Sequence, residues 1–251
     1  RQLELAEHSV KAAASEVGLF IKGYERAVNI FAEENNFFLN TLELWPQDME
    51  SYSLLQKKID RYFPEHFTFT LADSSGRTLL EGFEGLVGER CRNDIRSFSS
   101  GGDAHSIHSH HGLVGQQPHF DIMSYWEGSN SGRAVFFISF KMNSLERILA
   151  NTQVPGHQLL LVPRDMPEQI DATPHGNRAT LPAGGRLGAD ERQRISHSLP
   201  VTGTGWNVEI LPNNSLASQA HRSILMQTLF VFAGFIIVSV IMRMILLEET
   251  G

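Results

Sequence analysis

The sequence predicts an α+β fold: a long N-terminal helix packed on an antiparallel sheet, a small second β module, and a C-terminal transmembrane helix. Three observations predict it. Apolar residues recur at helical spacing from Leu3 to Leu44, and alternating strand patterns flank turn residues through the middle of the chain. Near the C-terminus, Ser223 to Met242 holds 20 residues without a formal charge. Hairpin-built sheets covered on one face by helix define this class.

At 251 residues the chain is long enough for one large domain or two small ones. A hydrophobic share of 41% and a charged share of 20% suit a folded protein. The net charge of -7 and pI near 5.9 argue against a nucleic-acid partner, which favours a basic surface. The single cysteine, Cys91, excludes a disulfide within the chain. Its neighbours Arg90 and Arg92 can lower a thiol pKa, but a small side chain on a half-buried turn is the preferred reading over a redox role.

The elements follow in order. Leu3, Val10, Val17, Tyr24, Phe31 and Phe38 are spaced by seven, and Ala6, Ala13, Phe20 and Ala27 fall three positions later. The first half of this helix is expected to pack on another helix, that of a second subunit in a homodimer. The second half, with Phe31, Phe37, Phe38 and Leu42, is expected against a sheet. A helical hairpin broken near Gly23 is the alternative. Tyr52 to Tyr62 reads as a short helix with Leu54, Leu55, Ile59 and Tyr62 on one face, ended by Pro64. "FTFTLADSSGRTLLEG", Phe67 to Gly82, reads as a hairpin over Asp73-Ser74-Ser75-Gly76.

Gly85 to Phe98 suits a loop and short helix, and Ser99 to Pro118, rich in Ser, Gly and His, a long loop. His119 to Trp126 and Arg133 to Lys141 form a second hairpin, followed by a helix over Asn143 to Ala150 and a strand over His157 to Val162. A helix over Ala189 to Ile195 precedes a strand pair over Ser196 to Leu211, anchored by Trp206. The apolar segment between Arg222 and Arg243 is about 30 Å long as a helix, the thickness of a bilayer. The expected division is 1–44 for the long helix, 45–156 for a membrane-distal module, 157–212 for a membrane-proximal β module and 223–247 for the span. No secretory signal opens the chain at Arg1, and it reads as a segment of a longer protein with an earlier membrane span.

Together, the long helix, the "FTFTLADSSGRTLLEG…VGERCRNDIRSF" stretch and the "HFDIMSYW…GRAVFFISFK" strand pair resemble an extracytoplasmic Cache (PAS-like) sensor domain of a bacterial transmembrane receptor. The resemblance covers most of the chain, with a second module short for a full PAS-like unit. It implies a PAS-like sheet whose distal module binds a small molecule between the sheet and its helix-loop side. It further implies inner-membrane anchoring with the sensor in the periplasm. The cytoplasmic output would be a diguanylate cyclase or phosphodiesterase, or else a histidine kinase or chemoreceptor part. The family's amino-acid-binding set of Tyr, Arg, Trp and Asp is not present at a matching spacing, so an amino-acid ligand is not carried over.

The ligand-binding candidates are Arg92, Arg96, Asp121, Tyr125, Trp126 and Ser139. The arginines suit an anionic group, or else form a solvated face. Asp121 and Tyr125 share one strand face and can line a polar pocket; Trp126, on the other face, also reads as core. His105, His108 and His110 are weak metal candidates, because their loop holds no cysteine and only Asp103 as carboxylate. A solvated loop and a proton-responsive cluster are the alternatives. No Gly-rich phosphate loop, Gly-x-Ser-x-Gly elbow or His-Glu-x-x-His occurs, so neither cofactor nor catalysis is expected. The rival readings are a scaffold that binds a protein partner and a membrane-anchored periplasmic enzyme.

Overall fold

The computed structural model describes residues 2–80, 89–101, 107–110, 119–129, 132–174 and 185–212. Its N-terminal helices are α1 (Gln2–Glu34), α2 (Asn36–Leu44) and α3 (Met49–Tyr62). The expected single helix to Leu44 is interrupted at Asn35, whose side-chain amide donates to the Phe31 carbonyl at 2.8 Å. An amide that competes for helix carbonyls favours such an irregular step. Gly23 lies within α1, so the alternative break there does not occur.

Most of the heptad seam of α1 is filled from within the chain, with Leu3 and Ala27 left exposed. Val10, Ala13 and Val17 are fully buried in one core shared with the sheets. The seam is therefore not the surface of a helical dimer, a correction to the sequence expectation. Its outward face carries Leu5, Leu19 and Ile30 instead. In α3 the Asp48 carboxylate accepts from the Glu50 amide at 3.2 Å, an N-cap, and Leu55 and Ile59 point inward while Leu54 and Tyr62 are exposed.

The larger sheet contains β1 (His66–Ala72), β2 (Ile107–His110), β3 (His119–Gly128) and β4 (Gly132–Lys141) in the order β1-β4-β3-β2, with every pairing antiparallel. The stretch expected to be a polar loop thus contains an edge strand. Beyond β1, the expected return strand shrinks to a single bridge between Ala72 and Thr78. The true ladder partner of β1 is β4.

Between β1 and β3 lies α4 (Glu89–Ser99), and α5 (Asn143–Thr152) follows β4. The smaller sheet has the order β5-β7-β6, built from β5 (His157–Pro163), β6 (His197–Pro200) and β7 (Trp206–Pro212), with α6 (Ala189–Arg194) before β6.

Alternation sorts the larger sheet into two faces. Phe69, Leu71, Phe120, Ile122, Phe136, Ile138 and Phe140 join the α1 core. Phe31 stacks on Phe136 at 5.7 Å between ring centroids, and Tyr24 meets Phe140 edge-on at 5.0 Å. Leu159, Leu161, Val208 and Ile210 of the smaller sheet belong to this same core, where Trp206 contacts Phe120. Residues Arg1 to Leu211 form one compact unit. Among the described residues no helix is long and apolar enough to cross a membrane; the 223–247 segment lies outside them.

Candidate functional site

The second face of the larger sheet is different in kind. One end is apolar: Ala72, Met123, Val135 and Phe137 pack against Cys91, Ile95 and Phe98 of α4. The spacing i, i+4, i+7 puts these three on one side of that helix. The other end is polar and buried. Thr68, Ser139 and Asp121 stand opposite one another across three strands, and His119 lies two residues before Asp121 on the same face. Asp121 and Ser139 are 0% exposed. A carboxylate this far from water costs several kcal/mol unless a cation or a full set of donors answers it.

A bulge at Phe67 brings its ring to 5.7 Å from the His119 ring. The Cys91 Sγ lies 3.7 Å from His119 Nε2, which is 3.9 Å from Asp121 Oδ1. Cys91, His119 and Asp121 come from α4 and β3, so sheet packing alone assembles them. Sequence reasoning missed this grouping, since it weighed Cys91 only against its arginine neighbours and read His119 only as the start of a strand. The signal was available in alternation: His119 and Asp121 had to share a face.

The remaining candidates are sorted by the same alternation. Tyr125 shares the face, but its hydroxyl donates to the Phe98 carbonyl and its ring stacks on Phe98 at 4.2 Å. The Arg133 guanidinium covers that ring at 4.6 Å. Tyr125 is therefore a clamp on the end of α4. Trp126 lies on the opposite face, buried in the α1 core, where its Nε1 donates to Asn40 Oδ1 at 3.2 Å. It is a core residue.

Arg92 and Arg96 sit on the side of α4 turned away from Cys91 and Ile95. They line an open groove of about 570 Å³ with Ser75, Arg77 and Glu89. These arginines thus face this groove, while Cys91, Ile95 and Phe98 on another side of α4 pack on the sheet that carries Asp121. His105 lies outside the described residues; His108 and His110 lie on β2, opposite Asp121 and His119 in register.

The groove owes its shape to the Asp73 turn. The Asp73 carboxylate accepts from the Ser75 amide at 3.0 Å, the Ser75 hydroxyl at 2.5 Å and the Arg77 amide at 3.0 Å. Burial pushes this carboxyl upward, and the hydrogen bonds from Ser75 and Arg77 outweigh it, leaving the pKa below the usual range. Gly76 has φ 77°, and a Cβ there would stand 2.6 Å from Arg96 Cα. Only glycine lets the turn approach α4 so closely.

No family model and no curated protein matches the chain. Solved structures do. An extracellular ligand binding receptor from Desulfohalobium retbaense superposes with a TM-score of 0.52 at 13% identity, over 82% of this chain and 39% of that one. The chain thus spans well under half of that receptor. The ligand-binding domain of the Pseudomonas aeruginosa amino acid chemoreceptor PctB, in complex with L-Arg, gives 0.53 at 15% identity, over 84% and 94%. The sensor domain of the Vibrio cholerae histidine kinase DctB gives 0.52 at 11% identity, over 84% and 98%. The fold is that of extracellular ligand-binding sensor domains.

Proposed function

We propose that this chain is the ligand-sensing region of a bacterial receptor. It captures a small polar molecule on the sheet face carrying Thr68, His119, Asp121 and Ser139. The observation that carries the reading is this row of buried polar side chains on the face away from α1, beside the helix α4. A sheet that only needed a core would fill that end with apolar residues, as it does at Met123, Val135 and Phe137. Sensor domains of like fold include one solved with L-Arg and one with GABA, which supports a small-molecule ligand here.

The proposal places the region in the periplasm, held by an inner-membrane helix over 223–247. The output would be a cytoplasmic diguanylate cyclase or phosphodiesterase. It takes the division into a distal module, 45–156, and a proximal module, 157–212, as the ligand-binding and relaying parts. A homodimer, within this proposal, uses the outward residues Leu5, Leu19 and Ile30 of α1. Ligand would act by binding one signalling state more tightly than the other.

Thermal melting of the chain with a panel of amines, amino acids, organic acids and divalent metals tests the reading. A ligand at about 100 times its Kd adds about 2.7 kcal/mol of stability and raises the melting temperature by several degrees. The expected result is a shift that Asp121→Asn or Ser139→Ala removes. Equal shifts in the wild type and both variants, or none with any member of the panel, would contradict it.

A further inference from the structure

Cys91, His119 and Asp121 each offer one ligand atom, all within 4.8 Å of one another, and all three residues are buried. A tetrahedral zinc ion has bonds of about 2.3 Å to sulfur and about 2.0 to 2.2 Å to nitrogen and oxygen. Those bonds set ligand separations of about 3.4 to 3.6 Å. The separations here are 3.7 Å from Sγ to Nε2 and 3.9 Å from Nε2 to Oδ1, a few tenths of an ångström wider. The third separation, from Sγ to Oδ1, is within 4.8 Å, so metal binding would draw the three side chains together.

Both partners approach the same ring nitrogen. A nucleophile relay instead sets the thiol at one imidazole nitrogen and the carboxylate at the other. Sγ and Oδ1 in front of one nitrogen place three potential metal-ligand atoms around a common centre. The set of thiol, imidazole and carboxylate matches zinc, cobalt and nickel, whereas magnesium and calcium take oxygen alone.

We infer that Cys91, His119 and Asp121 form a binding site for a divalent transition-metal ion of the zinc class on the sensor face of the sheet. The site deepens the sensor reading: its role as a stimulus rests on that reading, while binding itself is a property of the three side chains. Three protein ligands leave a fourth position, as in open zinc sites, for water or a small chelating molecule. The thiol enters as thiolate, so binding releases a proton and strengthens as pH rises. Strand register sets His108 opposite Asp121 and His110 opposite His119, beside the site along the backbone.

Titration of the full chain, free of any histidine tag, with Co²⁺ tests the inference. Because the chain has one cysteine, a thiolate-to-cobalt charge-transfer band can come only from Cys91. The expected result is that band at one equivalent, bleached by Zn²⁺, absent in Cys91→Ser, with affinity about tenfold or more weaker in His119→Ala and Asp121→Asn. No charge-transfer band in the wild type would overturn it, and that outcome needs no variant to fold. Cobalt affinity unchanged in all three variants would overturn it as well, assigning the metal to the histidine-rich 105–111 stretch. Melting of metal-free protein with the organic members of the panel separates the two claims: a shift there without cobalt binding keeps the sensor and removes the metal site.

Discussion

Gly76 shows how much one residue decides. Its φ of 77° and the 2.6 Å approach to Arg96 Cα leave no room for a side chain. Gly76→Ala should cost roughly 2 kcal/mol or more, read as a lower urea midpoint with unchanged slope. Its neighbour Asp73 has a folded pKa below the unfolded one. Its contribution is therefore complete above the ordinary carboxylate range and disappears as pH falls through the lowered value. Asp73→Ala should flatten that acid limb and cost about 1 kcal/mol at neutral pH.

Glu209 has the opposite sign: burial raises its pKa, against the opposing pull of Arg192 at 2.8 Å and the Ser198 hydroxyl at 3.2 Å. A raised carboxyl gives its stability in acid and loses it as pH climbs through the folded value. Arg192→Ala should steepen that loss above the ordinary carboxylate value and cost about 1 to 3 kcal/mol at neutral pH, measured by melting from acid to neutral pH.

Helix α1 illustrates both the reach and the limit of sequence patterning. Seven-residue spacing correctly located the buried stripe of Val10, Val17 and Phe31. It could not say what fills that stripe, since a coiled-coil seam and a face packed on a sheet demand the same apolar spacing. Val17→Asp should therefore lower folding stability by several kcal/mol, while Leu19→Asp, on the outward face, leaves the melting temperature nearly unchanged. Sedimentation then reports whether only Leu19→Asp alters the subunit count.

Strands β3 and β4 were legible from alternation around a Gly-rich turn, and α5, β5 and β7 from their spacing. Strand β2 was not: Ile107 is the lone apolar residue in Ile-His-Ser-His, and its pairing comes from the neighbouring β3. The site divided similarly. Asp121 and Ser139 could be placed on one polar face by period 2, but Arg92 and Arg96 were assigned only because their helix borders that face, and α4 directs them to the groove beside the Asp73 turn. Cys91 and His119 meet only through packing of α4 on the sheet, which no local pattern encodes.

Across the molecule, one core joins α1 to both sheets, and Trp206 ties them: its ring meets Phe120 and its Nε1 donates to Asp171 Oδ2 at 2.7 Å. Trp206 of β7, the last described strand, thus packs on Phe120 of β3. Tyr125 fastens α4 to β3 on the face that carries Asp121, so on the proposed reading an occupant beside Asp121 would meet the same two elements that the clamp joins. Tyr125→Phe should keep the fold and weaken the coupling between α4 and β3, visible as faster amide exchange at the end of α4. The central claim is that the functional surface is the polar end of this sheet face. Hydrogen exchange on the full chain, with and without the most stabilising member of the ligand panel, tests it most directly. The account predicts slowed exchange in His119 to Tyr125 and in Glu89 to Ser99. Protection confined to the Ser75–Thr78 turn, or to the outer face of α1, would contradict it.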